Sequence, residues 1–269
     1  MRIRQRKGKT MVKKIISLVF ALLVAGVFFG TAGAAWSSEI TVSAAISLKN
    51  TFEEIGKLFE SSNQGVKVLL NFGASGDLMT QIKAGAPVDV FASAGVKEMD
   101  ELGQGAFILP DTRANFAGNS VVLIVPSSSK LSIASFEDLT RPEIQKVSIG
   151  NPETVPAGRY AAEVLHHYSI FEKLKDKFIF AENVRQVLDY VVRNEVDAGV
   201  VYSTDAMAQS KNVKVVASAP ETSHQPIIYP VAVVKGSKNE QTARMFVSFV
   251  LSEAGGKILE KNGFKPVQK

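Results

Sequence analysis

The chain has no cysteine among its 269 residues and three histidines, His166, His167 and His224. Disulfides, a thiol nucleophile and a cysteine-attached lipid are therefore excluded, and an ordinary apolar core has to stabilise the fold. There is no G-x-S-x-G turn and no H-E-x-x-H helix, so two common signatures of hydrolases are missing. His166 and His167 are adjacent on a helical pattern and point apart, which argues against a shared metal ion. No internal repeat or low-complexity segment is present. These absences count against a secreted hydrolase acting on esters or phosphates, the main rival from another functional class. The expected chain is not an enzyme.

Acidic residues are absent from Met1 to Lys14, which carries seven basic ones. An apolar run follows, Ile15 to Phe29, then Gly30-Thr31-Ala32-Gly33-Ala34-Ala35. A basic head, an apolar middle and a small-residue end form the pattern of a cleaved secretory signal peptide over residues 1–35, with Met11 as an alternative start. A retained membrane anchor is the other reading, but the run is short for a span. Removing residues 1–35 takes away seven of the 31 basic residues and none of the 26 acidic ones, leaving 24 against 26. The basic balance of the whole chain thus belongs to the leader and is no argument for nucleic acid as a partner. The expected location is the periplasm.

From Glu39 the sequence alternates strand and helix patterns. Ile40–Val42, Val66–Phe72 and Val88–Ala92 read as strands. Phe52, Ile55 and Phe59 fall on one helical face, and Gly76–Ala84 reads as a second helix. After a long apolar strand, Ser120–Val125, the pattern restarts. Ser135 opens a capping box, strands follow at Lys146–Ile149, Phe178–Phe180 and Ala198–Tyr202, and helices at Gly158–Tyr168 and along Val184, Val187, Leu188 and Val191. Val213–Val216 and a second long strand, Ile227–Val234, precede a helical region from Glu240 to Lys261. The pattern predicts an α/β protein with mostly parallel sheets. Two β-α sets joined by two long strands predict two lobes, 36–119 with 231–269, and 120–230; one continuous doubly wound domain is the alternative the pattern leaves open.

Four segments share a layout in which a strand or loop ends in small or polar residues and a helix opens. They are Ser43–Leu48, Phe72–Leu78, Asn151–Gly158 and Ala181–Arg185. The first N–H groups of a helix have no internal partner, and the aligned peptide dipoles add positive potential there. Such ends bind anions without lysine or arginine. Gly76 and Gly158 are expected to let an anion approach the backbone. Ser47 and Ser75 are alternatively simple helix N-caps, and Tyr202 a core tyrosine with its hydroxyl at the rim. Arg185 and Asp205 beside the turns are expected as a solvated helix face and a helix cap, with Arg185 as a direct anion ligand the less favoured alternative.

Six segments carry a resemblance to a known family. They are Ala44–Leu48, Ser75–Leu78 with Gln81–Pro87, Gly150–Gly158, Glu182–Arg185, Gly199–Ala206 and Tyr229–Val234. In these the chain resembles the molybdate-binding proteins of bacterial ATP-driven importers, from about Ile40 to Phe264. The resemblance implies the type II periplasmic solute-binding fold, two lobes joined by two crossing strands. It also implies a ligand shell: Ser47 and Ser75 each giving a hydroxyl and an N–H, Ala157 and Val184 each an N–H, and Tyr202 its phenol. It implies molybdate or tungstate as ligand, no cofactor, a monomer, and the membrane permease of an ABC transporter as partner.

A shell of four N–H and three O–H groups only donates, which suits a dianion that accepts hydrogen bonds and offers none. Each charge-assisted bond contributes about 1.5–3 kcal/mol. Phosphate often carries a proton and needs an acceptor, for which Asp77 is the nearest candidate. Sulfate has the same charge and shorter bonds, so pocket size has to separate it from molybdate. A binding protein for sulfate, phosphate or another small anion is the alternative within this class.

Overall fold

A computed structural model describes residues 38–267. The expected signal peptide lies outside the described residues. No described helix is long and apolar enough to cross a membrane.

Two five-stranded sheets organise the chain. In the first, β1 (Ser38–Ala45) lies between β2 (Val66–Gly73) and β3 (Val90–Ala92), parallel to both. Helix α1 (Lys49–Ser62) makes the crossover between β1 and β2, and α2 (Ser75–Lys83) that between β2 and β3, as parallel pairing requires. Ile40, Val42 and Ala44 alternate onto a buried face of β1. As the spacing predicts, α1 buries Phe52, Ile55 and Phe59, with Phe59 edge-on to Phe246 at 5.3 Å between ring centres. Register pairs Ala45 with Gly73 and Ala44 with Ala92. The three carboxyl ends are therefore level, and the turns they feed open side by side.

The second sheet repeats the plan. β6 (Val147–Gly150) is parallel to β7 (Phe178–Ala181) on one side and β8 (Ala198–Tyr202) on the other. Helices α4 (Pro156–His167) and α5 (Val184–Val192) connect these strands. Val184, Val187, Leu188 and Val191 form the buried stripe of α5.

The chain passes between the sheets twice, from β4 (Ala114–Gly118) to β5 (Val121–Pro126) and from β9 (Val213–Ser218) to β10 (Ile228–Val233). β4 and β9 end at the carboxyl edge of their own sheets. The strand that follows begins at the carboxyl edge of the other sheet and has to run back. The register records this: Val121 at the start of β5 pairs with Tyr202 at the end of β8, and Ile228 at the start of β10 pairs with Gly118 at the end of β4. Each sheet is thus mixed, with one reversed strand. This is the two-lobe α/β fold with two crossing strands.

Among the described α-helices and strands, three have no counterpart in the sequence reading: α3 (Val96–Gln104), β4 and the short α6 (Ser203–Ala208). The Glu240–Lys261 region is two helices, α7 (Glu240–Val250) and α8 (Glu253–Lys261), the second capped by Ser252. The capping box at Ser135 forms, with the Asp138 carboxylate accepting from the N–H groups of Ala134 and Ser135 at 2.8 and 2.9 Å. It opens only a single 3-10 turn, Glu137–Thr140, because Pro142 holds Arg141 extended.

Candidate functional site

Ser47, Ser75, Ala157, Val184 and Tyr202 line one small cavity where the carboxyl ends of the two sheets face each other. The first sheet contributes Ser47, Ser75 and Ala94, and the second Ala157, Val184 and Tyr202. None of the lining residues is charged. The space left for a water centre is about 10 Å³, room for one water molecule. The cleft is closed: the Tyr202 hydroxyl meets the Ala94 carbonyl and the Gly76 N–H meets the Thr154 carbonyl across it, each at 3.0 Å.

Each donor is placed by a strand end. Ser75 is the first residue of α2, Val184 the first of α5 and Ala157 the second of α4. At these positions the N–H has no partner inside its helix, and among the described residues no other acceptor meets it. Ser47 sits in the 3-10 turn Ile46–Leu48 that leads into α1. Neither serine caps its helix, since no side-chain cap is made at the turn or at the starts of α1 and α2. The capping alternative for both is overturned.

The serine hydroxyls are instead oriented by neighbours. The N–H of Ala94 donates to Ser75 Oγ at 3.0 Å, which leaves the serine proton free. Asn119 Nδ2 donates to the Tyr229 hydroxyl at 3.1 Å, and the Tyr229 and Ser47 hydroxyls share a hydrogen bond of 3.2 Å in which either can donate. Asn119 uses its whole amide: Nδ2 also donates to Thr204 Oγ1, and Oδ1 accepts from Ser120 N–H and Ser203 Oγ, each at 2.9 Å. Sequence reasoning missed Ala94, Asn119 and Tyr229. A Tyr-Pro pair at a strand start and a lone asparagine between strands carry no local signal of a hydrogen-bond relay.

Tyr202 is buried and its hydroxyl donates to the Ala94 carbonyl at 3.0 Å, between the sheets. To donate to a ligand, the O–H has to turn away from that carbonyl. Burial first, then neighbouring Tyr229 and Tyr160, pushes the Tyr202 phenol well above the usual range, so it stays a neutral donor.

Two glycines act differently from expectation. A Cβ on Gly158 would stand 2.0 Å from the Gly150 carbonyl oxygen, and one on Gly76 would stand 2.6 Å from the Thr154 oxygen. Gly158 lets α4 pack on β6. Gly76 lets α2 meet the loop before α4, with its N–H donating to Thr154 C=O at 3.0 Å. Both absences of a side chain serve close backbone packing.

Arg185 and Asp205 also depart from expectation. Asp205 is fully buried, and Arg185 Nε stands 2.6 Å from its Oδ1. The approach lacks hydrogen-bond alignment, so charge holds the pair. Burial drives the Asp205 carboxyl up to about 6 despite the opposing arginine. Arg185 does not line the cavity. A second ion pair joins the sheets beside the cavity: Arg159 Nη2 on α4 lies 2.9 Å from Glu98 on α3, whose side chain is 2 % exposed. Asp77 is exposed and lies outside the cavity, so the lining holds no carboxylate for a protonated anion. His166 and His167 are exposed on α4, and no cluster of three or more metal-ligating side chains occurs among the described residues.

Comparison with known proteins follows the same lines. A family described as bacterial extracellular solute-binding protein matches residues 40–265. The molybdate-binding protein ModA of Escherichia coli is 39% identical over 246 residues, covering 89% of this chain and 95% of that protein. ModA of Haemophilus influenzae is 37% identical over 255 residues, covering 94% and 98%. The solved periplasmic molybdate-binding protein of Azotobacter vinelandii superposes with a TM-score of 0.76 at 24% identity, over 85% of this chain and 100% of that one, a likeness of fold.

Proposed function

The chain belongs to the bacterial extracellular solute-binding proteins, and from that premise we propose that it binds molybdate and delivers it to the membrane permease of an ABC importer. Tungstate, nearly the same size and charge, is bound as well. The protein acts in the periplasm as a monomer after removal of its leader, with no cofactor and no catalysis.

One observation carries the reading: uncharged donors from the turns of both sheets converge on a single cavity that no charged side chain lines. Ser47 and Ser75 supply hydroxyl and N–H, Ala157 and Val184 their N–H groups, and Tyr202 its O–H after release from Ala94. Aligned helix starts supply the positive potential. A site without an acceptor carboxylate disfavours a protonated phosphate, whose proton is left unpaired.

The lobes divide near residue 120, where β4 passes into β5, and at the start of β10, Ile228, three residues before the boundary at 231 that the sequence suggested, since all of β10 pairs in the first sheet. They part to admit the anion and close on it. Binding shifts the equilibrium by as much as the closed form is preferred, and the closed form is what the permease accepts.

A thermal-shift series with molybdate, tungstate, sulfate and phosphate tests the cargo. Molybdate and tungstate should raise the unfolding temperature most, since a ligand at a hundred times its Kd adds about 2.7 kcal/mol. A larger shift with sulfate or phosphate would reassign it. Turnover of generic ester or phosphate substrates would move the protein to the rival class.

A further inference from the structure

Val184 opens the turn after β7 and Tyr202 ends β8, yet β7 and β8 are not neighbours. The sheet order is β7-β6-β8-β5-β9, so β6 separates them and about 10 Å of sheet lies between. No ladder hydrogen bond spans that gap. Beyond the packing of Val187 and Val191 on Gly199 of β8, the two turns are bridged directly by a pair of side chains. Arg185 follows Val184 on α5, and Asp205 lies three residues after Tyr202 in α6, with Nε 2.6 Å from Oδ1.

The pair is costly in itself. Asp205 has no exposure, Arg185 is 18 % exposed, and neither carboxylate oxygen has an aligned donor. Buried pairs of this kind return little net stability over apolar residues of the same size. Geometry and charge remain as the reason for it. The pair ties the Val184 N–H to the Tyr202 hydroxyl, and it neutralises a carboxylate that would otherwise oppose an arriving dianion. Arg185 lines a side chamber of about 110 Å³ that shares Ser47 with the main cavity, so the guanidinium sits at the flank of the site and outside its lining.

We propose that Arg185 and Asp205 are positioning residues that set the spacing of the second sheet's donors, and thereby both affinity and the choice between molybdate and the smaller sulfate. This rests on the oxyanion-binding reading above. An Ångström of play between the turns should harm the fit to one size of anion more than it harms the fold.

The test compares wild type with Arg185→Met, Arg185→Lys and the doubly apolar Arg185→Met/Asp205→Leu. Each is titrated with molybdate and with sulfate by calorimetry and melted without ligand. Arg185→Met should weaken molybdate binding at least tenfold and shrink the molybdate-to-sulfate ratio, with Arg185→Lys recovering part of both. The doubly apolar variant, which leaves no buried charge unpaired, should melt near wild type and still show the smaller ratio. If it binds both anions with wild-type affinities and ratio, the pair is structural only and the proposal falls. If wild type prefers sulfate, the cargo assignment fails while the loss of preference in the variants still reports the pair. If wild type binds neither anion, the oxyanion reading fails and this inference with it.

Discussion

The N–H of Gly76, at the start of α2, donates to the carbonyl of Thr154, in the loop before α4, at 3.0 Å. The bond joins an element of the first sheet to one of the second and holds the closed cleft. A methyl group on Gly76 would meet Thr154 O at 2.6 Å and Thr154 Cα at 2.9 Å, both backbone atoms that cannot swing aside. Gly76→Ala should therefore keep the lobes apart. Calorimetry should show molybdate binding weakened tenfold or more, a loss of about 1.4 kcal/mol or greater. The ligand-free unfolding temperature should change far less.

The Ser75 hydroxyl keeps its proton after accepting from Ala94, and the Ser47 hydroxyl is held by Tyr229 through a bond in which either can donate. Replacing both by alanine removes two charge-assisted bonds worth about 1.5–3 kcal/mol each. The Ser47→Ala, Ser75→Ala variant should lose at least tenfold in molybdate affinity. Unchanged calorimetric binding would remove both residues from the ligand shell.

Asn119, at the crossover from β4 to β5, makes four hydrogen bonds and is buried. Asn119→Ala leaves Tyr229, Thr204 and Ser203 short of partners, at about 1–3 kcal/mol for each buried group left unsatisfied. Urea unfolding should place the variant on the order of 2–4 kcal/mol below wild type, and molybdate affinity should fall as Ser47 loses its orientation.

The Asp205 carboxyl sits at about 6 in the folded chain against an ordinary 3.8, chiefly because it is buried. The folded state thus holds this proton more tightly than the unfolded state does. Its contribution to stability is fully present below about pH 4 and is lost as pH rises through 6. Asp205→Asn removes the titration. The stability of the Asp205→Asn variant relative to wild type should climb between pH 4 and 6 by on the order of 1–3 kcal/mol and level off above. A difference that is flat over this range in urea titrations would show that Arg185 keeps the carboxyl ionised throughout.

Much of this molecule is written locally. The stripe Val184, Val187, Leu188 and Val191 specifies a helix and its buried face whatever it packs on, and the small polar residues before α2, α4 and α5 mark helix starts whose N–H groups are unpaired. The alternation of strand and helix specifies parallel pairing, which in turn puts those starts along one edge. The elements that were not legible lack such a period. β4 buries Phe116 and Ala117 on opposite faces, so it shows no alternation, and it is short; α6 is a single turn and a half stabilised by what surrounds it.

The sequence by itself determined the α/β fold, the two crossings and the turns that end in free donors, because each depends on periods and chain geometry within a few residues. The tertiary structure alone decided which residues meet across space. It set Asn119 beside Tyr229 and Ser47, Arg185 against Asp205, and Gly76 on Thr154. Those contacts join residues distant in sequence, and their energies depend on burial and on tenths of an Ångström, which arise only when the two sheets close on each other.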